Sequence, residues 1–410
     1  MSDWPVKTLA ELGGRVTSGS RGWAAYYADH GDLFVRITNL RRDSIKPDLS
    51  DCRFVQIDSD EAEARRTRLR AGDLLISITA DIGIIGYVGG DFPRPAYINQ
   101  HIARVRLDPK IANSKFVAYY LASWAPQRKL VGSTDQGAKA GMNLATVANL
   151  TTPLPDSAEQ DRIADALSDV DASIQSLERQ VVKKRAIKQG MMQELLTGRT
   201  RLPGFTEPWA PVRLSGLGEF LRGRGVTRDQ VRPSGVPCIR YGELYTTYTG
   251  YTASTVSFVE SSVAASALPI HAGDILFAGS GETKEEIGTC VAYIGNAPAV
   301  AGGDIIVLRG AKYEPVYLAS LLNTPALANR KARGGQGDAV VHINWRVLAG
   351  LEVDLPELPE QRAIADVLRD ADHELDALGR RLEAARAIKQ GMMQELLTGR
   401  TRLVPTEASA

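Results

Sequence analysis

The residues best placed to do chemistry in this 410-residue sequence are Asp274, Glu282 and Lys284. An Asp followed on the next strand by an acidic-x-Lys pair lets two carboxylates hold Mg²⁺ while a lysine serves the attacking water. A self-sufficient nuclease is one reading of that pattern. The sequence carries its own check, because it repeats itself at an offset of 201 residues. Asp73 matches Asp274 and Asp81 matches Glu282, but Gly83 stands at the lysine position. Two such halves would not both cut. Gly72-Asp73 and Gly273-Asp274 are better read as turns before strands, with the Asp bonding backbone amides. The histidines (His30, His101, His271, His342, His373) lack metal-ligand spacing,. There is no GxxxxGK-Ser/Thr phosphate loop, no GxGxxG after a strand, and no Asn/Asp-Pro-Pro-aromatic run. ATP hydrolysis, dinucleotide chemistry and base-amino methylation are therefore not expected of this chain. No catalytic residue and no metal ligand is assigned.

What remains is binding. SGSRGW (18–23) and RGRGVTR (222–228) are Gly-rich, basic and close to the start of each repeat. Such loops bring backbone amides and guanidinium groups up to phosphates, which makes Arg21, Arg222 and Arg224 candidate DNA contacts. Arg36 and Arg240 end matched strands beside them, and Arg41 belongs to a local basic cluster. The loops 132–141 and 332–340 occupy matched positions. In them Gln136 and Gln336 could pair bidentately with adenine, and Lys139 and Arg333 could read guanine. A glutamine there could equally cap its loop.

These residues need elements to hold them. Residues 185–202 and 386–403 both read RAIKQGMMQELLTGRTRL. Ala71–Leu75 returns as Ala272–Leu276, and Glu159-Gln160 as Glu360-Gln361. Each repeat is a variable region of about 150 residues and a better matched tail of about 45. In the first tail Ile163, Leu167, Val170, Ile174, Leu177 and Val181 are spaced as a coiled-coil seam,. Ile364, Leu368, Ala371, Leu375, Leu378 and Leu382 repeat it. The pattern lapses at Lys184 and Ala385 and resumes at Ile187, Met191 and Leu195, and at Ile388, Met392 and Leu396. Gly190 and Gly391 mildly disfavour helix, and Gly198 and Gly399 read as stops. Helices of about 35 residues span roughly 50 Å and should pair antiparallel within the chain, with one globular unit at each end. FVRITNL (34–40), DLLISIT (73–79), GIIGYVG (83–89) and HIARVRLD (101–108) read as strands, and GDILFAG, CVAYIG and DIIVLRG match them in the second repeat. KFVAYYLAS (115–123) and PVYLASLLN (315–323) read as short helices. The expected class is mixed α/β: two similar, mainly β domains joined by two long helices in an antiparallel coiled coil, with an internal pseudo-two-fold repeat.

The paired tails, SAEQDRIADALSDVDASIQSLERQVVKKRAIKQGMMQELLTGRTRLPGF and LPEQRAIADVLRDADHELDALGRRLEAARAIKQGMMQELLTGRTRL, resemble those of type I restriction–modification specificity subunits. The openings WPVKTLAELG (4–13) and WAPVRLSGLG (209–218) resemble the starts of that family's target recognition domains. The resemblance implies target recognition domains at 1–155 and 201–356, long spacer helices at 156–200 and 357–404, and a flexible tail at 405–410. It implies a non-catalytic reader of a split, bipartite double-stranded DNA target. Its partners would be two methyltransferase and two translocase/endonuclease subunits, which would hold the S-adenosylmethionine, ATP and Mg²⁺. This chain would itself hold no cofactor.

Bulk properties bound these readings. The apolar fraction is 44%, the charged fraction 24% and the net charge +1. Neutrality overall argues weakly against nucleic acid, while the clusters Arg65–Arg66–Arg68–Arg70 and Lys183–Lys184–Arg185 argue weakly for it. Those clusters could equally be solvated faces. No apolar stretch approaches membrane-helix length, and no signal-peptide pattern opens the sequence. Three scattered cysteines suit a reducing cytoplasm. A protein-binding coiled-coil scaffold without DNA recognition is the main alternative.

Overall fold

The computed structural model describes residues 3–19, 21–132, 141–337 and 340–403. It divides into two compact units, Met1–Arg179 with Gly379–Ala410, and Gln180–Leu378. Each unit therefore draws on both halves of the sequence.

In the first unit an antiparallel sheet is ordered Arg15–Ser18, Ile102–Arg106, Leu74–Ser77, Ile85–Tyr87. A second sheet is ordered Tyr27–Ala28, Arg53–Val55, Asp32–Val35, Ala96–Ile98, and its last pair is parallel. Leu75 and Ile102 from one sheet join Leu33, Val35 and Ile98 from the other in a buried layer. Alternate residues of the first sheet, Leu74, Ile76, Ala103 and Val105, pack instead against the helix Ser114–Ala122 and the long helices. Both faces are covered, so the central strand Leu74–Ser77 is buried throughout and reads as an apolar run without alternation,.

The second unit repeats the plan. One sheet is ordered Glu219–Arg222, Ile305–Arg309, Ile275–Ala278, Cys290–Tyr293, Tyr251–Thr252, and the other Ser257–Val259, Val236–Ile239, Ala299–Ala301, Leu268–Ile270. The helix Pro315–Leu322 is the counterpart of Ser114–Ala122. One expectation is corrected. Residues 37–40 do not continue the strand after Val35, because the Asn39 side chain takes the Arg36 amide at 2.9 Å and turns Ile37–Asn39 into a 3-10 turn.

The two long helices are Ser157–Leu195 and Leu358–Leu396, each 39 residues, or about 58 Å at 1.5 Å per residue,. They pack antiparallel within each unit. In the first unit Asp171 pairs with Lys389 and Glu178 with Arg386. In the second, Lys184 pairs with Glu374 and Lys188 with Asp372. Ile163, Leu167, Ile174, Leu177, Ile364, Leu368 and Leu378 are buried. Val170, Val181, Ala371, Leu375 and Leu382 are half-buried.

The seam resumes at Leu195 and Leu396, which are buried, and at Met191 and Met392, which are half-buried, but not at Ile187 and Ile388. Ile187 and Ile388 are exposed, and the next residues, Lys188 and Lys389, turn inward to their aspartates. A buried lysine is tolerated there because a carboxylate meets it. Helix continues through Gly190 and Gly391. Gly198 and Gly399 follow the helices with φ of +69° and +68°, the left-handed stop expected of them,.

A matched corner locks each helix start. Glu159 and Glu360 are buried and bidentate to Arg402 and Arg201 respectively. Gln160 and Gln361 accept from the amides of Asn113 and Glu314 and donate to the carbonyls of Pro155 and Pro356. Arg402 lies over Trp4 and Arg201 over Trp209. The repeated Glu-Gln, Thr-Gly-Arg-Thr-Arg and tryptophan motifs thus belong to one structural device.

Candidate nucleic-acid interface

The chemistry suggested by Asp274 does not assemble. Asp274 is buried, and its oxygens accept from Arg309 at 2.9 and 2.7 Å and from the His271 amide at 2.9 Å. Asp73 is held the same way by Arg106 and the Arg70 amide. Both are turn carboxylates that pin the edge of a strand. Glu282 and Lys284 are exposed. Among the described residues no group of three or more His, Cys, Asp or Glu side chains could hold a metal ion. Burial pushes the Cys238 and Cys290 thiols up to about 11, so neither supplies a thiolate at neutral pH,.

The polar side chains of the second unit do converge. Arg222, Gln336, His342 and Arg346 share a cleft of about 500 Å³. Its floor is Gly223, Gly279 and Gly303, and here glycine is required by close approach. A Cβ on Gly223 would lie 1.9 Å from the Gly302 carbonyl oxygen, and one on Gly279 would lie 2.7 Å from that of Asp304. Arg222 ends a strand paired with Ile305–Arg309. Gln336 is held by two backbone bonds with His342, at 2.9 and 2.8 Å, which leave its exposed side chain free of backbone duty. Asn344 caps the helix Trp345–Ala349, and Arg346 in its first turn lies over the Trp345 ring at 5.1 Å. A stacked arginine is pre-oriented, so it loses less freedom on meeting a base or phosphate. His342 Nδ1 bonds Ser280 Oγ at 2.7 Å.

The remaining candidates divide by charge pairing. Arg36 is bound to Asp51, Arg41 to Asp43 and Asp48, and Arg240 to Glu243. The Asp43 carboxylate holds the Arg41 guanidinium above its ordinary value, and all three arginines are charge-paired within the fold. Arg41 also borders a cavity of about 410 Å³ lined by Asp171, Glu178 and Lys389 of the long helices. Arg21, Arg222, Arg224 and Arg333 are exposed and enter no ion pair among the described residues. Gln136 and Lys139 lie outside the described residues.

Sequence reasoning missed Trp345, Arg346 and His342. The available signal was the matched helix cap. Asn143 and Asn344 cap equivalent short helices, while Leu144 and Ala145 in one repeat take the positions of Trp345 and Arg346 in the other. A common frame with unlike side chains marks variable contact positions.

No helix among the described residues is long and apolar enough to cross a membrane. The type I restriction enzyme MjaVIII specificity subunit of Methanocaldococcus jannaschii is 25% identical over 276 residues, 62% of this chain and 63% of that protein. The alignment thus spans a little under two thirds of that relative's length. The putative MjaX specificity subunit of the same organism is 24% identical over 430 residues, covering 98% and 94% of the two chains. The solved S subunit of a type I restriction-modification system from M. genitalium has the same fold, with a TM-score of 0.62 at 14% identity over 96% of each chain. The model of the type I restriction modification DNA specificity domain matches twice, at residues 1–184 and 206–385, and the chain belongs to that family.

Proposed function

We propose that this chain is the non-catalytic DNA-reading subunit of a type I restriction–modification complex. Each unit reads one part of a split, bipartite duplex target and so directs adenine-N6 methylation and restriction by partner subunits. One observation carries this reading: the two units keep the same frame but differ at the positions that line the second unit's cleft. Arg222 stands where the first unit has Ser18, His342 where it has Gly141, and Arg346 where it has Ala145. The frame residues are shared, namely Asp73 and Asp274, Asn143 and Asn344, and Glu159 and Glu360. Two readers of unlike half-sites need that arrangement.

The test is single-molecule methylation mapping of DNA from a host carrying this chain with its methyltransferase partner, against a host lacking the chain. A new split motif with N6-methyladenine on both strands is the expected result. No new motif from an assembled complex would shift weight to a protein-binding scaffold. Arg222→Ala and Gln336→Ala should each weaken binding by about 1–3 kcal/mol and relax one half of the motif only. Relaxation of both halves would remove the cleft from the reading role.

The helices supply the second part of the proposal. The exposed face of the identical segments includes Ile187, Gly190, Ile388 and Gly391. A Cβ at either glycine would meet nothing within 4 Å, so the fold itself does not require glycine there. We assign these two faces to the two methyltransferase subunits, which bring S-adenosylmethionine. The translocase/endonuclease subunits bring ATP and Mg²⁺ chemistry. Gly190→Ala and Gly391→Ala should each raise stability in urea by about 0.5–1 kcal/mol. Leucine at both sites should leave the chain folded but reduce co-purification of the methyltransferase. Unchanged assembly with leucine would place the docking face elsewhere.

A further inference from the structure

The first unit carries a cationic patch that the second unit, built on the same frame, does not. Its centre is Arg104. This residue lies in the middle of the strand Ile102–Arg106, opposite Thr17 on one neighbouring strand and Leu75 on the other. Leu75 and Ile102, on the same face of the sheet, sit in the apolar layer between the sheets. Arg104 is only 7% exposed, yet it enters no ion pair among the described residues. One terminal nitrogen donates to the Arg68 carbonyl at 3.1 Å, and its Nε is buried without a partner. Burial, with Arg106, Arg70 and Arg66 nearby, pushes the guanidinium down to about 10, against the pull of Asp73.

The register identifies what the second unit has in each place. Val307 lies opposite Leu221 and Leu276, so it is the counterpart of Arg104, and it is fully buried. Arg15 faces Arg106 across the strands, whereas Glu219 faces Arg309. Arg106 and Arg309 bond the carbonyls of Arg68 and Pro269 in the same manner. The Arg70 amide meets Asp73 as the His271 amide meets Asp274. Arg66 therefore stands where the second unit has Ala267. The first unit sets six arginines where the second sets one arginine and one glutamate. Arg66 is paired with Glu63 and Arg106 with Asp73, while Arg15, Arg68 and Arg70 are exposed and enter no ion pair among the described residues.

A frame that can hold valine at Arg104 does not need arginine there. An unpaired, desolvated guanidinium destabilises a fold, and so does a row of like charges around it. A bound anion relieves both. We propose that Arg15, Arg68, Arg70 and Arg104 form a phosphate-binding site through which the first unit grips the sugar–phosphate backbone of DNA. Among its described residues the second unit has no counterpart to this grip. The inference rests on the DNA-reading assignment above and adds an asymmetry to it. The salt-dependent, sequence-independent part of the affinity is weighted towards the first unit, and this patch makes no contribution to which bases are read.

The test uses the full chain assembled with its methyltransferase partner and a fluorescein-labelled target duplex, titrated between about 50 and 200 mM salt. Arg68→Ala with Arg70→Ala should flatten the slope of log K against log salt by about two, one for each phosphate no longer neutralised. Affinity should fall on the order of tenfold for target and non-target duplexes alike. Arg104→Val, which installs the second unit's residue, should weaken DNA binding while raising the melting temperature. A structural arginine would give the opposite sign in melting. If the wild type binds with a normal salt slope and both variants match it, the patch is not a phosphate site. If the wild-type complex shows no salt-dependent binding at all, the DNA-reading assignment falls and takes the patch with it. Inorganic pyrophosphate is the other arm. If it raises the melting temperature of the wild type but not of the double variant, and duplex binding is unchanged, the site serves a free anion and the DNA grip is overturned.

Discussion

Replacing Asp274 with alanine is expected to cost about 3–5 kcal/mol of stability, because it strands Arg309 and a strand-edge amide that it now satisfies,. Asp73→Ala should behave alike in the first unit, where Arg106 makes the same bidentate pair. Glu282→Ala and Lys284→Ala, at exposed positions, should change stability by no more than about 0.5 kcal/mol,. Urea denaturation of the four variants separates the two classes. The contrast also decides between chemistry and architecture. A nuclease would lose Mg²⁺-dependent cutting on Glu282→Ala and would leave Asp274 cheap to remove. The geometry requires the reverse order.

Glu360→Ala carries the second large effect, about 1.5–3 kcal/mol, the range for hydrogen bonds to a charged group. The carboxylate is 3% exposed, and Arg201 meets it at 2.6 and 2.7 Å while Trp209 Nε1 donates at 3.3 Å. Removing the acid leaves a guanidinium and an indole without their common acceptor. Glu159→Ala should give a smaller loss, because Arg402, 45% exposed, can turn to water. Glu260, exposed and paired with Arg232, is the control and should cost no more than about 1 kcal/mol,. Equal losses at Glu360 and Glu260 would show that the corner does not lock the helix. Both predictions concern motifs that occur in both repeats.

That repeat explains why much of the fold was legible. Residues such as Leu74–Ser77 and Ile275–Ala278 are buried on both faces, so their apolar runs stand out. The seam from Ile163 to Leu177 was legible because one partner face makes one period. Legibility ended where a side chain serves a distant partner. Lys188 and Lys389 displace Ile187 and Ile388 from the inner face because aspartates 184 and 218 residues away meet them, and no local period encodes that. The parallel pairing of Asp32–Val35 with Ala96–Ile98 was hidden for the same reason. Among candidate contacts, a basic residue type did not distinguish Arg222, exposed in a cleft, from Arg36, Arg41 and Arg240, each charge-paired with a neighbouring carboxylate. Arg104 was invisible because only its register against Val307 makes it unusual.

The division of each long helix between the two units has a consequence for biosynthesis. Arg402 meets Glu159 across 243 residues of chain. At about 5–20 residues per second, roughly 12–50 s separate the emergence of the two. Throughout that interval Ile163, Leu167 and Ile174 lack the second long helix that completes their burial. The first unit, begun first, is therefore completed last, after the second unit's strands have already been made. During this window the nascent chain exposes an apolar helix face that a chaperone or a second nascent chain could occupy. Slowing translation within residues 203–378 should lengthen the exposure without altering the finished fold.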